Sequence, residues 1–300
     1  MPPAGEWTNR WVSVTDWFAT NGTGRPSRHF EGDKAVYTLM TTNGPIVLRA
    51  GSQVATCNHL NCWLGYAPRF TNGELYLHPL DLQKNLLPAV RSSRMASAAG
   101  RVVVIDPGHG GDQPGTRSVA EPEGYEKNYT LDWARRLKPL LEQRGWRVIL
   151  TRTNDVDVPL TNRVAMAERM KADLFISLHF NSAAPHAGQS GLETYCLTPA
   201  GLPSSLVRDY QDDARQVYPN NSHDLENYLY AVQLHRSLLE ATGAADRGVR
   251  RARFMGVLRG QNRPAILIEG GFLSNPAEAR LIARPEYRQK LADAVARALN

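Results

Sequence analysis

Three apolar runs in this chain each end in a side chain able to bind a metal or carry a proton. Val102-Val103-Val104-Ile105 leads into Asp106-Pro107-Gly108-His109-Gly110-Gly111. Leu174-Phe175-Ile176-Ser177-Leu178 leads into His179-Phe180-Asn181-Ser182, and Ile266-Leu267-Ile268 into Glu269-Gly270-Gly271-Phe272. Runs of this composition read as strands buried on both faces. In an open α/β sheet, ligands bind beyond the carboxyl ends of the strands. His109, His179 and Glu269 are therefore expected at one edge. Catalytic zinc takes three protein ligands and keeps a fourth position for water. Two imidazoles supply nitrogen, and a carboxylate should come from the stretch between them. Glu121, Glu123 and Glu126 are the candidates. Glu126 is favoured because it opens a predicted helix, whereas the other two flank Pro122 in a loop. Glu269 is then placed to take a proton from the attacking water and return it to a leaving amine.

Other chemistries fit the spacing less well. Counting from Gly108, a dinucleotide fingerprint would need glycine where Gln113 stands, and no Gly-Lys-Ser/Thr follows for a phosphate loop. Gly188-Gln189-Ser190-Gly191 does not make a serine-hydrolase elbow. A lone histidine at a strand end is more often a satisfied core residue. Two of them, with a carboxylate between and a glycine-rich turn, shift the balance to a metal.

The elements that must position these residues follow from periodicity. Before residue 90, Ala35–Leu39, Ile46–Leu48 and Leu75–Leu77 read as short strands, with Asn43-Gly44 and Asn72-Gly73 as hairpin signals. Asp81–Leu87 reads as a short helix ending at Pro88. Residues 1–90 are thus expected to form a small, mostly β accessory domain, and the unpatterned 91–99 a linker. From 100 to 300, strands alternate with helices predicted at 126–144, 161–170, 225–241 and 287–299, with further strands at 147–150 and 191–197. That alternation predicts an α/β fold with a twisted, mainly parallel sheet flanked by helices. The polar stretch at about 198–224 is long for a loop in a compact domain and reads as functional or disordered.

Composition narrows the class. The chain has 300 residues, 42% hydrophobic and 21% charged, which favours globular folding. No apolar run is long enough to cross a membrane, and no secretion signal is visible at the N-terminus. A net charge of +6 suits an anionic partner, but no finger or ribonucleoprotein motif points to nucleic acid. The densest basic run, Arg247, Arg250, Arg251 and Arg253 with Arg259 behind, reads either as a solvated face or as a grip on substrate carboxylates. Three cysteines rule out a disulfide-rich scaffold. Cys57 and Cys62 could bridge, and His59 between them raises a weaker metal reading.

Together VVVIDPGHGG, Glu126-Lys127, SLHFNS, the run from Gly248 to Arg259 and PAILIEGGFLSNPAEARLI resemble the zinc-dependent N-acetylmuramoyl-L-alanine amidases of bacterial cell division and sporulation. The likeness covers about residues 101–298. It implies a sheet of about six strands, one zinc ion held by His109, Glu126 and His179, and Glu269 as the catalytic residue. It implies peptidoglycan as substrate, cleaved between the lactyl group of N-acetylmuramic acid and L-alanine, and a place in the cell envelope. In some relatives a helix inserted near 198–224 covers the zinc until a protein activator moves it. Asn181, Arg250 and Arg259 are candidate substrate contacts. The first domain is similar to the small β domain named after copper amine oxidases, on Val47–Gly51, Cys62–Gly65, Asn72–Leu77 and Asp81-Leu82, without copper ligands. A zinc peptidase acting on stem peptides and a non-catalytic wall-binding protein are the competing readings.

Overall fold

Left-handed two-residue turns set the strand register in the N-terminal part of the computed structural model. It describes residues 11–21, 24–90, 99–120, 124–208 and 211–300. Asn58 (φ 48°) and His59 (φ 66°) close Cys57 onto Leu60, and Asn72 (φ 52°) and Gly73 (φ 77°) close Thr71 onto Glu74. Such turns match the twist of the strands they join. The other Asn-Gly pair is offset by one: Thr42 and Asn43 make the turn, and Gly44 already pairs with Thr41.

These turns build an antiparallel meander of β2 (Ser27–Glu31), β3 (Lys34–Thr41), β4 (Gly44–Arg49), β5 (Val54–Cys57) and β6 (Leu60–Trp63). A smaller sheet joins β1 (Val12–Ser13), β8 (Glu74–Leu77) and β7 (Arg69–Thr71), with helix α1 (Val14–Asn21) beside it. The segment after β8 is helical from Pro79 to Val90 and does not end at Pro88 as expected. A wide π turn over Leu82–Leu86 precedes Pro88, which then falls in the first turn of the last piece, where a missing N–H costs little. Asp81 explains the Asp-Leu signal. Its buried carboxylate accepts from Gly65 N (2.7 Å), Tyr66 N (2.9 Å) and Asn85 Nδ2 (2.7 Å), so it pins the loop after β6.

This first unit does not stop at residue 94. It takes in 198–217 and 249–254, while the second unit holds 95–197, 218–248 and 255–300. Both added segments come from the range expected for one catalytic domain. Strand β13 (Asp246–Arg251) starts in the second unit and ends in the first, where Val249 pairs with Cys62. Most of the predicted linker, 91–98, lies outside the described residues. So do Glu121 and Glu123. No α-helix occurs among the described residues of 198–217; the first helical turn of that stretch is Pro219–His223, in the second unit. Cys57, Cys62 and Cys196 are buried, no disulfide joins Cys57 to Cys62, and His59 sits exposed at its turn tip.

The second unit is the expected mixed α/β fold. Strands β10 (Arg147–Leu150), β9 (Val102–Pro107), β11 (Leu174–Asn181) and β14 (Ala265–Phe272) run parallel in that order. Strand β12 (Leu192–Cys196) adds antiparallel to β14. Every residue of β14 is buried, which accounts for its unbroken apolar run. Helices α2 (Glu126–Glu142), α4 (Asp224–Thr242) and α6 (Pro285–Ala298) pack on the sheet and on one another, with α3 (Leu160–Arg169) and α5 (Pro276–Ala283) completing the set. Helix α4 ends at Gly243, whose left-handed φ of 66° lets its N–H reach Leu239 O at 2.8 Å. Helix α5 was not foreseen, although its signature is plain: the Asn275 side chain accepts from the Ala277 and Glu278 amides, and Pro276 is the first helical residue.

Candidate metal centre and active site

The strand ends bring the expected groups together. His109 lies in the turn after β9, Glu126 opens α2, and His179 lies near the end of β11. His109 Nε2 is 3.1 Å from Glu126 Oε2, and His179 Nδ1 is 2.8 Å from Glu126 Oε1. One ligand atom from each residue lies within 4.8 Å of the others. The imidazoles meet edge to face, with ring centres 5.0 Å apart. Two nitrogen donors and one carboxylate oxygen converging in this way fit a divalent cation, which would take the place of the protons now shared between carboxylate and rings.

The backbone was shaped for this approach. A Cβ on Gly108 would stand 2.3 Å from the His179 ring, so only glycine lets that ring lie over the turn. A Cβ on Gly115 (φ +69°) would press on Glu126 and His109 alike. His109 itself has φ 62°, a conformation that non-glycine residues rarely hold without local support.

That support comes from residues whose role the sequence did not reveal. Arg163 Nη1 pairs with Asp106 Oδ1 at 2.5 Å and also donates to Pro107 O, while its Nη2 donates to His109 O at 2.8 Å. Arg152 donates to Pro107 O (3.0 Å) and Gly108 O (2.9 Å) from the other guanidinium. Burial and the neighbouring charge of Arg163 bring Arg152 down to about 10, which still leaves it protonated at neutral pH. Asp106 also accepts from Thr151 Oγ1 (2.5 Å) and Ser177 Oγ (2.7 Å). Lys127 Nζ bonds Gly111 O and Asp155, and Asp155 accepts from Gly111 N. The whole turn is thus held by its carbonyls and amides; Arg152, just past a strand, and Arg163, inside a helix, carry no sequence signal of this.

Glu126 is fixed from all sides. Beyond the two rings, Thr116 N (3.0 Å) and Phe180 N (3.1 Å) donate to its carboxylate. Burial alone would raise its proton affinity. The hydrogen bonds and charge of His109 and His179 more than reverse that and hold the carboxyl well below the ordinary range. It is therefore a permanent anion in the site.

Glu269 stands one strand over. In the ladder of β11 with β14 it is the direct partner of His179. Residues paired in this way project from the same face with strands roughly 5 Å apart, so the buried Glu269 side chain flanks the ligand cluster. A cleft of about 410 Å³ opens onto His109 and His179 and is walled by Asp157, Val158, Pro159, Leu160 and Val257.

The expected substrate contacts fare differently. Asn181 is buried and already engaged: its amide donates to Glu193 Oε2 at 2.7 Å, and its Oδ1 accepts from Ser182 N. Arg250 belongs to the first unit, where its guanidinium stacks 4.3 Å over Trp63 and donates to Ser205 O. The basic run is not a solvated face, because Arg250, Arg251 and Arg253 are all buried. Arg251 bonds Lys84 O and Asn85 Oδ1, and Arg253 pairs with Asp212 and takes two carbonyls. Arg259, like Arg247, is half-buried in the second unit; it lies 5.4 Å over the Tyr218 ring and close to Gly256, whose neighbour Val257 lines the cleft.

Comparison with known proteins agrees with this geometry. A family model described as N-acetylmuramoyl-L-alanine amidase matches residues 103–300. The chain is 32% identical over 238 residues to N-acetylmuramoyl-L-alanine amidase AmiC of Neisseria meningitidis, covering 72% of this chain and 55% of that protein. It is 31% identical to a probable cell wall amidase LytH of Staphylococcus epidermidis, covering 70% of this chain and 60% of that protein. The chain thus spans little more than half the length of these curated relatives. Among solved structures, AmiC2 of Nostoc punctiforme superposes with a TM-score of 0.55 at 32% identity, covering 67% of this chain and 96% of that one. The catalytic domain of CwlV from Paenibacillus polymyxa gives 0.54 at 30% identity, covering 66% and 96%. With two thirds of its length matched by the family model, this chain belongs to the N-acetylmuramoyl-L-alanine amidase family.

Proposed function

We propose that this chain is a zinc-dependent peptidoglycan amidase, which hydrolyses the amide between the lactyl group of N-acetylmuramic acid and L-alanine of the stem peptide. The observation that supports this most is the convergence of His109, Glu126 and His179 beside Glu269 at the end of a parallel sheet. His109, Glu126 and His179 would hold the ion. Bound there, it supplies Lewis-acid polarisation of the amide carbonyl and lowers the pKa of water. Glu269 accepts the proton of the attacking water and delivers it to the alanine nitrogen as the C–N bond breaks, leaving a lactyl carboxylate and an amine. The buried anion Glu126 balances the charge of the cation. The bracing of the His109 turn by Arg152 and Arg163 keeps its imidazole aimed at the site. Val158, Pro159, Leu160 and Val257 exclude water along the cleft.

The first unit is read as an accessory domain that positions the substrate. The place of action is the cell envelope; no helix among the described residues is long and apolar enough to cross a membrane. The structure of the CwlD amidase of Clostridioides difficile was solved in complex with the GerS lipoprotein, and a protein activator is a reasonable partner for this chain too.

Product analysis on purified sacculi tests the reading. New muramic lactyl carboxylates and N-terminal alanine are expected, whereas new termini inside the stem would make the chain a peptidase. Glu269→Ala should lose roughly 100-fold or more in turnover while keeping its metal, and His179→Ala should lose both. A fully active Glu269→Ala protein would sink the mechanism.

A further inference from the structure

Glu193 has no part in the reaction above, yet its carboxylate is 1% exposed and bears three hydrogen bonds. Oε2 accepts from Asn181 Nδ2 (2.7 Å) and the Tyr195 hydroxyl (2.8 Å), and Oε1 accepts from Arg247 Nε (2.9 Å). Arg247 is placed in turn by Phe272, 4.9 Å below its guanidinium, and by Gln189 Oε1 at 2.8 Å. Stability alone does not call for such an assembly. A buried ion pair repays its desolvation poorly, and well-packed apolar side chains commonly do as well or better.

Its position suggests a purpose. Glu193 on β12 is the direct ladder partner of Glu269 on β14, which is the direct partner of His179 on β11. The three residues form one rung across three strands. Asn181 lies two residues beyond His179 on β11, so its bond to Glu193 must pass over β14, spanning two strand spacings or roughly 10 Å. This polar strut straddles the strand that carries Glu269. A like charge directly across a ladder is repulsive, and Glu193 has its lone pairs occupied by three donors. Both effects would favour a Glu269 carboxylate turned away from β12 and toward His109, Glu126 and His179.

We propose that Glu193, braced by Arg247 and tied to Asn181, is a positioning residue that sets the direction of the Glu269 carboxylate. The inference rests on the proposed role of Glu269. It assigns a role in the same reaction to a strand residue outside the His109–Glu126–His179 group.

The test is a double-mutant cycle read on muropeptide hydrolysis, with metal content measured on each protein. Glu193→Gln presents an amide NH₂ where one set of donors expects an acceptor, so one contact must break. Expected is a fall in kcat of about 10- to 100-fold, as for small misplacement of a catalytic group, with KM within about twofold and metal retained. In a Glu269→Gln background, measured at high enzyme concentration, Glu193→Gln should cost nothing further. Undiminished kcat in Glu193→Gln, or losses that multiply in the double variant, would overturn the positioning role. Should Glu193→Gln fail to fold, Tyr195→Phe removes one donor with little change in volume. It is expected to lower kcat severalfold and, again, to add nothing to Glu269→Gln; multiplying losses would count against the proposal. If Glu269→Gln itself keeps full turnover, the proposed mechanism fails, and this inference with it. If Glu269→Gln is inactive and Glu193→Gln is not, the positioning role alone is lost.

Discussion

Two sets of buried arginines do opposite jobs in the two units. In the second unit, Arg152 and Arg163 stand apart in sequence and grip the carbonyls of Pro107, Gly108 and His109. They hold His109 in a left-handed conformation that it would not keep alone. In the first unit, Arg250, Arg251 and Arg253 stand close together and spend themselves on the accessory fold: Trp63, the 84–85 turn, and the segment from Pro199 to Asp212. The set that looks functional along the chain is structural, and the set that looks incidental shapes the site. Charge density in a sequence reports what is nearby in the chain. The use of a guanidinium is decided by carbonyls and carboxylates that are 41 to 167 residues away.

The contrast can be broken most sharply at Arg163. Replacing it by methionine leaves Asp106 buried with only the hydroxyls of Thr151 and Ser177 for company. Breaking a buried pair from one side costs about 3–5 kcal/mol, and here the His109 carbonyl also loses its donor. Arg163→Met should unfold at lower denaturant, bind metal weakly and lose most turnover. Arg253→Met should approach the same loss of stability, since Arg253 is fully buried and Asp212 nearly so. Its metal content and its turnover per folded molecule should not change. Elemental analysis beside denaturant midpoints separates the two; metal loss in Arg253→Met would erase the distinction drawn above.

Acid sharpens the same pair. Burial would raise the Asp212 carboxyl, but the Ser204 amide and the Arg253 guanidinium outweigh it and hold Asp212 below the ordinary aspartate value of 3.8. A depressed carboxyl contributes stability that is complete above its unfolded pKa and vanishes as pH falls through its folded one. The stability gap between the unaltered chain and Arg253→Met should therefore be widest at neutral pH and narrow below about pH 4. Urea midpoints at pH 7 and pH 3 measure it, and a gap of equal size at both would show that Asp212 is not the partner that matters.

How far these features can be read beforehand depends on whether the signal is local. His109, His179 and Glu269 were legible because each lies at or just past the end of an apolar run, and a buried parallel strand needs such a run. Glu126 was legible because a helix start fixes its place. Glu193 was not: it sits inside Gly191–Leu197, where it reads as one polar residue in an ordinary strand, and only the ladder with Glu269 gives it meaning. The affiliation of 198–217 and 249–254 with the first unit was hidden for the same reason, since periodicity predicts an element and not its neighbours. The Cys57-Asn58-His59 cluster carried only a weak metal signal, behind two ordinary thiols or a hairpin disulfide. Its spacing is that of a left-handed hairpin turn, which buries the thiols and turns the imidazole out to solvent.

The smallest expected effect belongs to Arg259, a member of the basic run that the fold leaves partly accessible. Its guanidinium rests over Tyr218, and its hydrogen bond to the Tyr218 hydroxyl is long at 3.5 Å. A planar fork can take a carboxylate, and the stem peptide offers several. Arg259→Ala should raise KM for a full-length stem by about five- to tenfold with little change in kcat, the mark of an interaction made equally in ground and transition states. A substrate shortened to the first alanine should show no such difference, because it lacks the distal carboxylates. Equal KM shifts on both substrates would instead mean that Arg259 acts by bracing the Tyr218 side chain, and would place it among the arginines that hold the fold and not the substrate.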